Sequence, residues 1–267
     1  MAKQSRRTHR GHRKFGWLPD IPDHRDHLYA APVALMAKLP PSVDLRSRCP
    51  KIYDQGPLGS CTANAIAAAI EFERIRQELH DFVPSRLFIY YNERAIEGTV
   101  DSDSGAYIRD GIRSVAKQGD CPETEWPYVV AKFAKQPPSK CYRDALKYKV
   151  VSYQRVSRNL SQMKACLVSG FPFVFGISVY ESFVTAAVES SGNVPLPTPG
   201  EPGANEDGSP AGHAMLATGY DDAHHRFRIR NSWGATWGRG GYGTIPYAYL
   251  LDENLSDDFW TIRLVAA

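Results

Sequence analysis

The chain has 267 residues, of which 43% are hydrophobic, 23% charged and 11% aromatic, with a formal net charge of +3. That is an ordinary globular composition, long enough for a sizeable core in one large domain or two intimate subdomains. No apolar run approaches the roughly 18 residues of a membrane span. No signal-peptide apolar region follows Met1 either, so the expectation is a cytoplasmic protein or one exported by a non-standard route.

The charge is uneven. Residues 1–38 carry eight Lys/Arg and three Asp, leaving a nearly neutral body behind a basic arm. Short basic arms are mostly solvated, and without an aromatic-interleaved groove or a helix-turn-helix pattern nucleic-acid binding is not expected. Five cysteines, Cys49, Cys61, Cys121, Cys141 and Cys166, are an odd number, so at least one cannot pair within the chain. None lies at zinc-ligand spacing, and neither a metal nor a cofactor is expected.

In chain order, residues 1–40 read as an extended arm in which Trp17, Leu18 and Ile21 offer apolar contacts and Pro19, Pro22, Pro40 and Pro41 oppose helix. Ser60 sits where an N-cap belongs. Cys61 then opens a helix to about Leu79, apolar all round in its first half and charged in "ERIRQE", the pattern of a helix whose far end reaches water. Helical texture recurs at about 85–96 and 106–118, the latter ended by Gly119. The second half turns to strands in "YKVVSYQRVS", "FPFVFGISVY", "HAMLATGY" and "RFRIRN". Between the second and third of these lie 23 residues, Ser190 to Gly212, with little to form regular structure. Helices first and strands second predict an α+β fold with two subdomains.

A thiol at a helix N-terminus meets backbone N–H groups and the positive end of the helix dipole, which favour the attacking thiolate. The same residue type also fills cores as a small hydrophobe, and Cys61 by itself leaves both roles open. The base would have to come from afar. His213 begins a strand directly after the long loop, and the next strand alternates Arg226, Arg228 and Arg230 with Phe227, Ile229 and Asn231. A hairpin about the turn "DDAHH" sets His213 opposite Asn231 or Trp233, about 5 Å away. An amide oxygen there accepts an imidazole N–H and fixes which nitrogen faces the thiol. An ordinary hairpin with a buried histidine remains the alternative.

The blocks "DQGPLGSCTAN", "GHAMLATGY" and "NSWGATWGRGGYG" resemble, in order, the three signature blocks of papain-like cysteine peptidases. "LPPSVDLRSR" is similar to the start of the mature enzyme, "SGAYIRDGIRSVAKQGDCPETEWPY" to the segment with the substrate-binding glycine, and "GYGTIPYAYL" to the closing strand. "GWLPDIPDHRD" resembles the short N-terminal regions of bacterial members. The resemblance covers roughly residues 40–250.

It implies a papain-like two-subdomain fold: a helical subdomain at about 41–150 carrying the nucleophile helix, a β-barrel-like one at about 151–267, and a cleft between. It also implies that residues 1–40 form an arm or short pro-region. The implied activity is endopeptidase hydrolysis of a polypeptide substrate through a thioester, by a monomer. Cys61 would be the nucleophile and His213 the base and then the acid. Asn231 would orient the imidazole, and Gln55 would join the Cys61 backbone N–H in the oxyanion hole. Trp233 would shield the His–Asn pair, Gly105 would pair with the substrate backbone, and the chain at Ala211 and Gly212 would border a mainly apolar S2 pocket.

Leu58 stands where the family usually has a cysteine, and Thr62 replaces the usual aromatic residue after the nucleophile. Two other functions remain on the same residues: transfer of the acyl group to an amine, and an inactive peptide-binding module. Part of residues 15–38 is expected along the cleft, where it either slows substrate access or only braces the fold.

Overall fold

The computed structural model describes residues 14–266, so the basic stretch 1–13, and with it the nucleic-acid expectation, lies outside the described residues. The chain begins with β1 (Trp17–Leu18), a four-residue helix α1 (Val33–Met36) and β2 (Ser42–Asp44). A helical set follows: α2 (Cys61–Arg76), α3 (Arg86–Glu97), the short strand β3 (Ala106–Tyr107), α4 (Ile108–Gln118) and α5 (Ser139–Ala145). The second half holds β4 (Val150–Arg155), α6 (Leu160–Val168), β5 (Phe173–Val179), α7 (Ala186–Ser191), β6 (Ala211–Asp221), β7 (Arg226–Arg230), β8 (Tyr242–Pro246), α8 (Tyr247–Leu251) and β9 (Ser256–Val265).

Helix α2 is the axle of the molecule. Alanine loses no side-chain entropy in a helix and lets neighbours approach closely, and every residue from Cys61 to Arg74 is buried. The expected exposed end is therefore wrong as far as Arg74. Glu71 accepts the Tyr53 hydroxyl, Glu73 pairs with Arg76 at 2.7 Å, and Arg74 donates to the His80 carbonyl. Buried charges survive where each finds a partner. Helix α3 is capped by Ser85, whose hydroxyl accepts from the Phe88 N–H at 3.2 Å, and ends at Gly98 in the left-handed conformation.

Seven of the strands form one antiparallel sheet in the order β4-β9-β5-β6-β7-β8, with β2 added alongside β6, and β1 and β3 pair separately. The β6–β7 hairpin starts with Asp221 opposite Arg226, and a bulge between Ala217 and Gly219 shifts it so that Leu216 faces Arg230. Extending the shifted register sets His213 across from Trp233, with Asn231 on the diagonal. One apolar core joins α2, α3 and α4, and the other fills the sheet beneath Phe173, Phe175 and Phe227. Among the described residues no helix is long and apolar enough to cross a membrane.

The arm is clamped to the body by carboxylates, its own and that of Asp258 in β9. Asp258 Oδ2 accepts from the Trp17 indole N–H at 3.0 Å and the Asp20 backbone N–H at 2.7 Å. Asp23 pairs with Arg113 at 3.0 Å, while Asp26 pairs with Arg109 at 2.6 Å and Arg155 at 3.2 Å. Trp17 is only 5% exposed, whereas Ile21, expected to dock, is 72% exposed because its neighbours rather than its own side chain hold the segment.

Candidate active site

Cys61 is the first residue of α2 and is wholly buried. Ser60 occupies the N-cap position without capping: its hydroxyl lies 2.6 Å from the Tyr128 hydroxyl and accepts from Asn64 Nδ2 at 3.1 Å. Burial pushes the Cys61 thiol up to about 12, while the backbone amides of Ala214, Gly16 and Thr62 pull it down. The helix end that favours thiolate is thus outweighed by desolvation, and Gly16, a residue of the arm, contributes to covering the sulfur.

His213 is also wholly buried, on β6. Its Nε2 lies 2.8 Å from Asn231 Oδ1, which also accepts the Ser232 backbone N–H at 2.8 Å. A backbone N–H can only donate, so it identifies the amide oxygen. His213 Nε2 must then be the donor, which makes Nδ1 the acceptor nitrogen of the neutral ring. The Trp233 ring covers the pair, its centroid 4.8 Å from that of the imidazole.

Gln55 is held from both ends. Its Oε1 accepts the Ser232 hydroxyl at 2.6 Å, and its Nε2 donates to the Lys14 carbonyl at 3.0 Å and the Leu58 carbonyl at 2.9 Å. Ser232 therefore orients both Asn231 and Gln55. Sequence reasoning passed over it although it is the second residue of "NSWG".

The arm lies in the groove between these elements. The Gly16 N–H donates to the Gly212 carbonyl at 2.8 Å, and its carbonyl accepts from the Ala106 N–H at 2.7 Å. β1 continues parallel to β3, Trp17 against Ala106 and Leu18 against Tyr107. A Cβ on Gly105, which has φ +75°, would meet the Gly16 carbonyl oxygen at 2.2 Å; one on Gly212 would meet that of Trp17 at 1.8 Å. Gly105 and Gly212 thus contact the arm, whereas Ala211 faces the core opposite Val179 and makes no hydrogen bond to the described arm residues.

The Trp17 indole rests on Gly176 of β5, where a Cβ would fall 2.0 Å from Cε2. Gly176→Ala is expected to cost about 2–3 kcal/mol by overpacking. The same substitution in a Trp17→Ala background should cost much less, a coupling that a double-mutant cycle of denaturant midpoints would detect.

The family model for papain family cysteine proteases matches residues 39–249. The chain belongs to this family. The crystal structure of xylellain, a cysteine protease from Xylella fastidiosa, superposes with a TM-score of 0.87 at 47% identity, covering 96% of this chain and 98% of xylellain. An uncharacterized peptidase C1-like protein of Acanthamoeba polyphaga mimivirus is 41% identical over 278 residues, 95% of this chain and 88% of that protein. Cysteine proteinase EP-B 1 of Hordeum vulgare is 25% identical, and the match spans 84% of this chain and 57% of the barley protein.

The protein is thus a papain-like α+β cysteine protease that hydrolyses peptide bonds. All five cysteines are free thiols in this protease. Its two departures from the family pattern are both accommodated by burial: Leu58 is packed in the core, and the Thr62 hydroxyl donates to Glu93 Oε1 at 2.7 Å.

Proposed function

We propose that Cys61 is the nucleophile of this protease, with His213 its general base and then acid, Asn231 the group that sets the imidazole, and Gln55 an oxyanion donor. The observation that carries this reading is the shared Asn231 oxygen, 2.8 Å from both His213 Nε2 and the Ser232 N–H. It supports a ring whose Nδ1 takes the thiol proton. Sulfur then adds to the substrate carbonyl, and the oxyanion is stabilised by the Gln55 amide and the Cys61 backbone N–H. His213 returns the proton to the departing amine, leaving a thioester. Water activated by the same imidazole cleaves that thioester and regenerates the thiol.

Residues 41–267 form the peptidase domain, which acts as an endopeptidase, and the arm before it keeps the enzyme latent. The Lys14 carbonyl on Gln55 and the Gly16 backbone between Ala106 and Gly212 support that latency, because an extended substrate needs the same donors and acceptors. Gly105 and Gly212 border the substrate backbone, Ala211 backs the S2 region, and Trp233 keeps water from the His–Asn bond.

The test is labelling with a peptidyl chloromethyl ketone on the wild-type chain. One adduct, mapped to Cys61 by peptide mass and rising in step with loss of hydrolysis, is the expected result. Full inactivation with Cys61 unmodified would refute the assignment. Ser232→Ala should lower kcat/KM roughly tenfold, less than the 10²–10³ expected for losing an oxyanion donor outright. Ser232→Thr, which keeps the hydroxyl, should recover most of the loss at equal thermal stability.

A further inference from the structure

Strand β7 reads Arg-Phe-Arg-Ile-Arg, and alternation sends Phe227 and Ile229 into the core and the arginines to the other face. Arg230 is buried there and donates to the carbonyls of Pro50 and Lys51. Arg226 and Arg228 instead line a cavity of about 490 Å³ on the outer side of β7 and β8, together with Arg46, Arg239, Tyr242 and Asn193. That volume suits a small molecule. The cavity includes none of the residues assigned to catalysis.

The charges on its wall are not balanced. Arg46 is committed to Asp44 at 2.6 Å. Arg226 is held by neutral oxygens, the Thr244 hydroxyl at 2.7 Å and the Val194 carbonyl. Arg228 approaches carboxylates only at 3.5 Å (Asp221) and 3.9 Å (Asp44), beyond the 2.7–2.9 Å of a charge-assisted hydrogen bond, and its buried Nε has no hydrogen-bond partner. Asp221 also faces the cavity but is engaged by His224 at 2.9 Å. Arg239 is exposed and makes no ion pair among the described residues. Gathering guanidinium groups without matching carboxylates is unfavourable unless an anion joins them, and a buried N–H without an acceptor adds to the cost.

We propose that this cavity is a binding site for a small phosphorylated molecule, its phosphate gripped by Arg228 and Arg239 and its organic part lying against Asn193, Thr244 and Tyr242. A phosphate monoester carries about −1.5 to −2 charge near pH 7, which Arg239, with no ion pair among the described residues, and the loosely paired Arg228 match. Its oxygens also fit the planar fork of arginine, which a point-charge ammonium would not reproduce.

The test is isothermal titration of the whole chain at fixed ionic strength with inorganic phosphate, pyrophosphate and citrate. Saturable one-site binding of phosphate and pyrophosphate, tighter than citrate, is expected. Arg228→Gln and Arg239→Gln should each weaken pyrophosphate binding at least tenfold while leaving peptide hydrolysis and the ligand-free melting temperature unchanged. Arg239 is exposed, so its variant stays informative if the Arg228 variant folds poorly. Absence of saturable heat, citrate binding as tightly as pyrophosphate, or undiminished binding by the Arg239 variant would overturn the proposal.

Discussion

Cys61→Ala is expected to lower hydrolysis of an unstructured polypeptide by about 10⁵-fold or more, to the background of the assay. The size follows from what the sulfur does. Without it no thioester forms, and the remaining groups can only polarise a carbonyl and position water, which leaves a small residual acceleration. His213→Ala should fall nearly as far, because a thiol buried to a value of about 12 supplies almost no thiolate at pH 7 without a base beside it. The two losses should not add: the double variant is expected to match Cys61→Ala alone, since each removes the same step. Steady-state rates of the three variants check this. A Cys61→Ala protein with undiminished turnover would refute the mechanism, and a double variant far slower than Cys61→Ala would show that the two side chains act in separate steps.

Much of this site was legible in the sequence because each half of it is local. "GSCTAN" places a thiol on a helix start, and the alternation of "RFRIRN" puts Asn231 on the opposite face from the arginines. What alternation does not supply is the bulge between Ala217 and Gly219, which moves the hairpin by one residue before Asn231 comes within 2.8 Å of His213. The buried charges of α2 were misread for a related reason. "ERIRQE" reads as a solvated end unless the carbonyls of His80, Ala266 and Arg263 are known to wait for Arg74 and Arg76.

The arm was the least legible part. Its proline and tryptophan content announced an extended segment with something to bury, but its acidic residues find arginines 83, 90 and 129 positions away. Nothing local encodes such partners. Ser232 was missed for the opposite reason: it lies inside the most recognisable block, where attention goes to the asparagine before it and the tryptophan after it.

Trp17→Ala carries the other large expected effect, a rise of about 10²-fold in kcat/KM of the full-length chain. Truncating a buried tryptophan costs about 3–5 kcal/mol. Here that cost falls mainly on docking of the arm, because the indole packs on Gly176 and donates to Asp258. If the competent state is the one with the arm lifted, about 3 kcal/mol less docking energy raises its population roughly a hundredfold, and apparent activity follows that population until the arm no longer limits it. Alkylation of Cys61 should accelerate in parallel, since the sulfur opens to the reagent whenever Gly16 leaves it, a gain in access that outweighs losing the Gly16 amide that favours thiolate. Melting should move the other way, toward lower temperature, as the core loses one of its larger side chains. The two roles proposed for the arm separate on this combination. A brace predicts lower stability with turnover and alkylation unchanged, whereas a latch predicts lower stability with both increased, and faster turnover without faster alkylation would mean that the arm blocks substrate while leaving the nucleophile accessible.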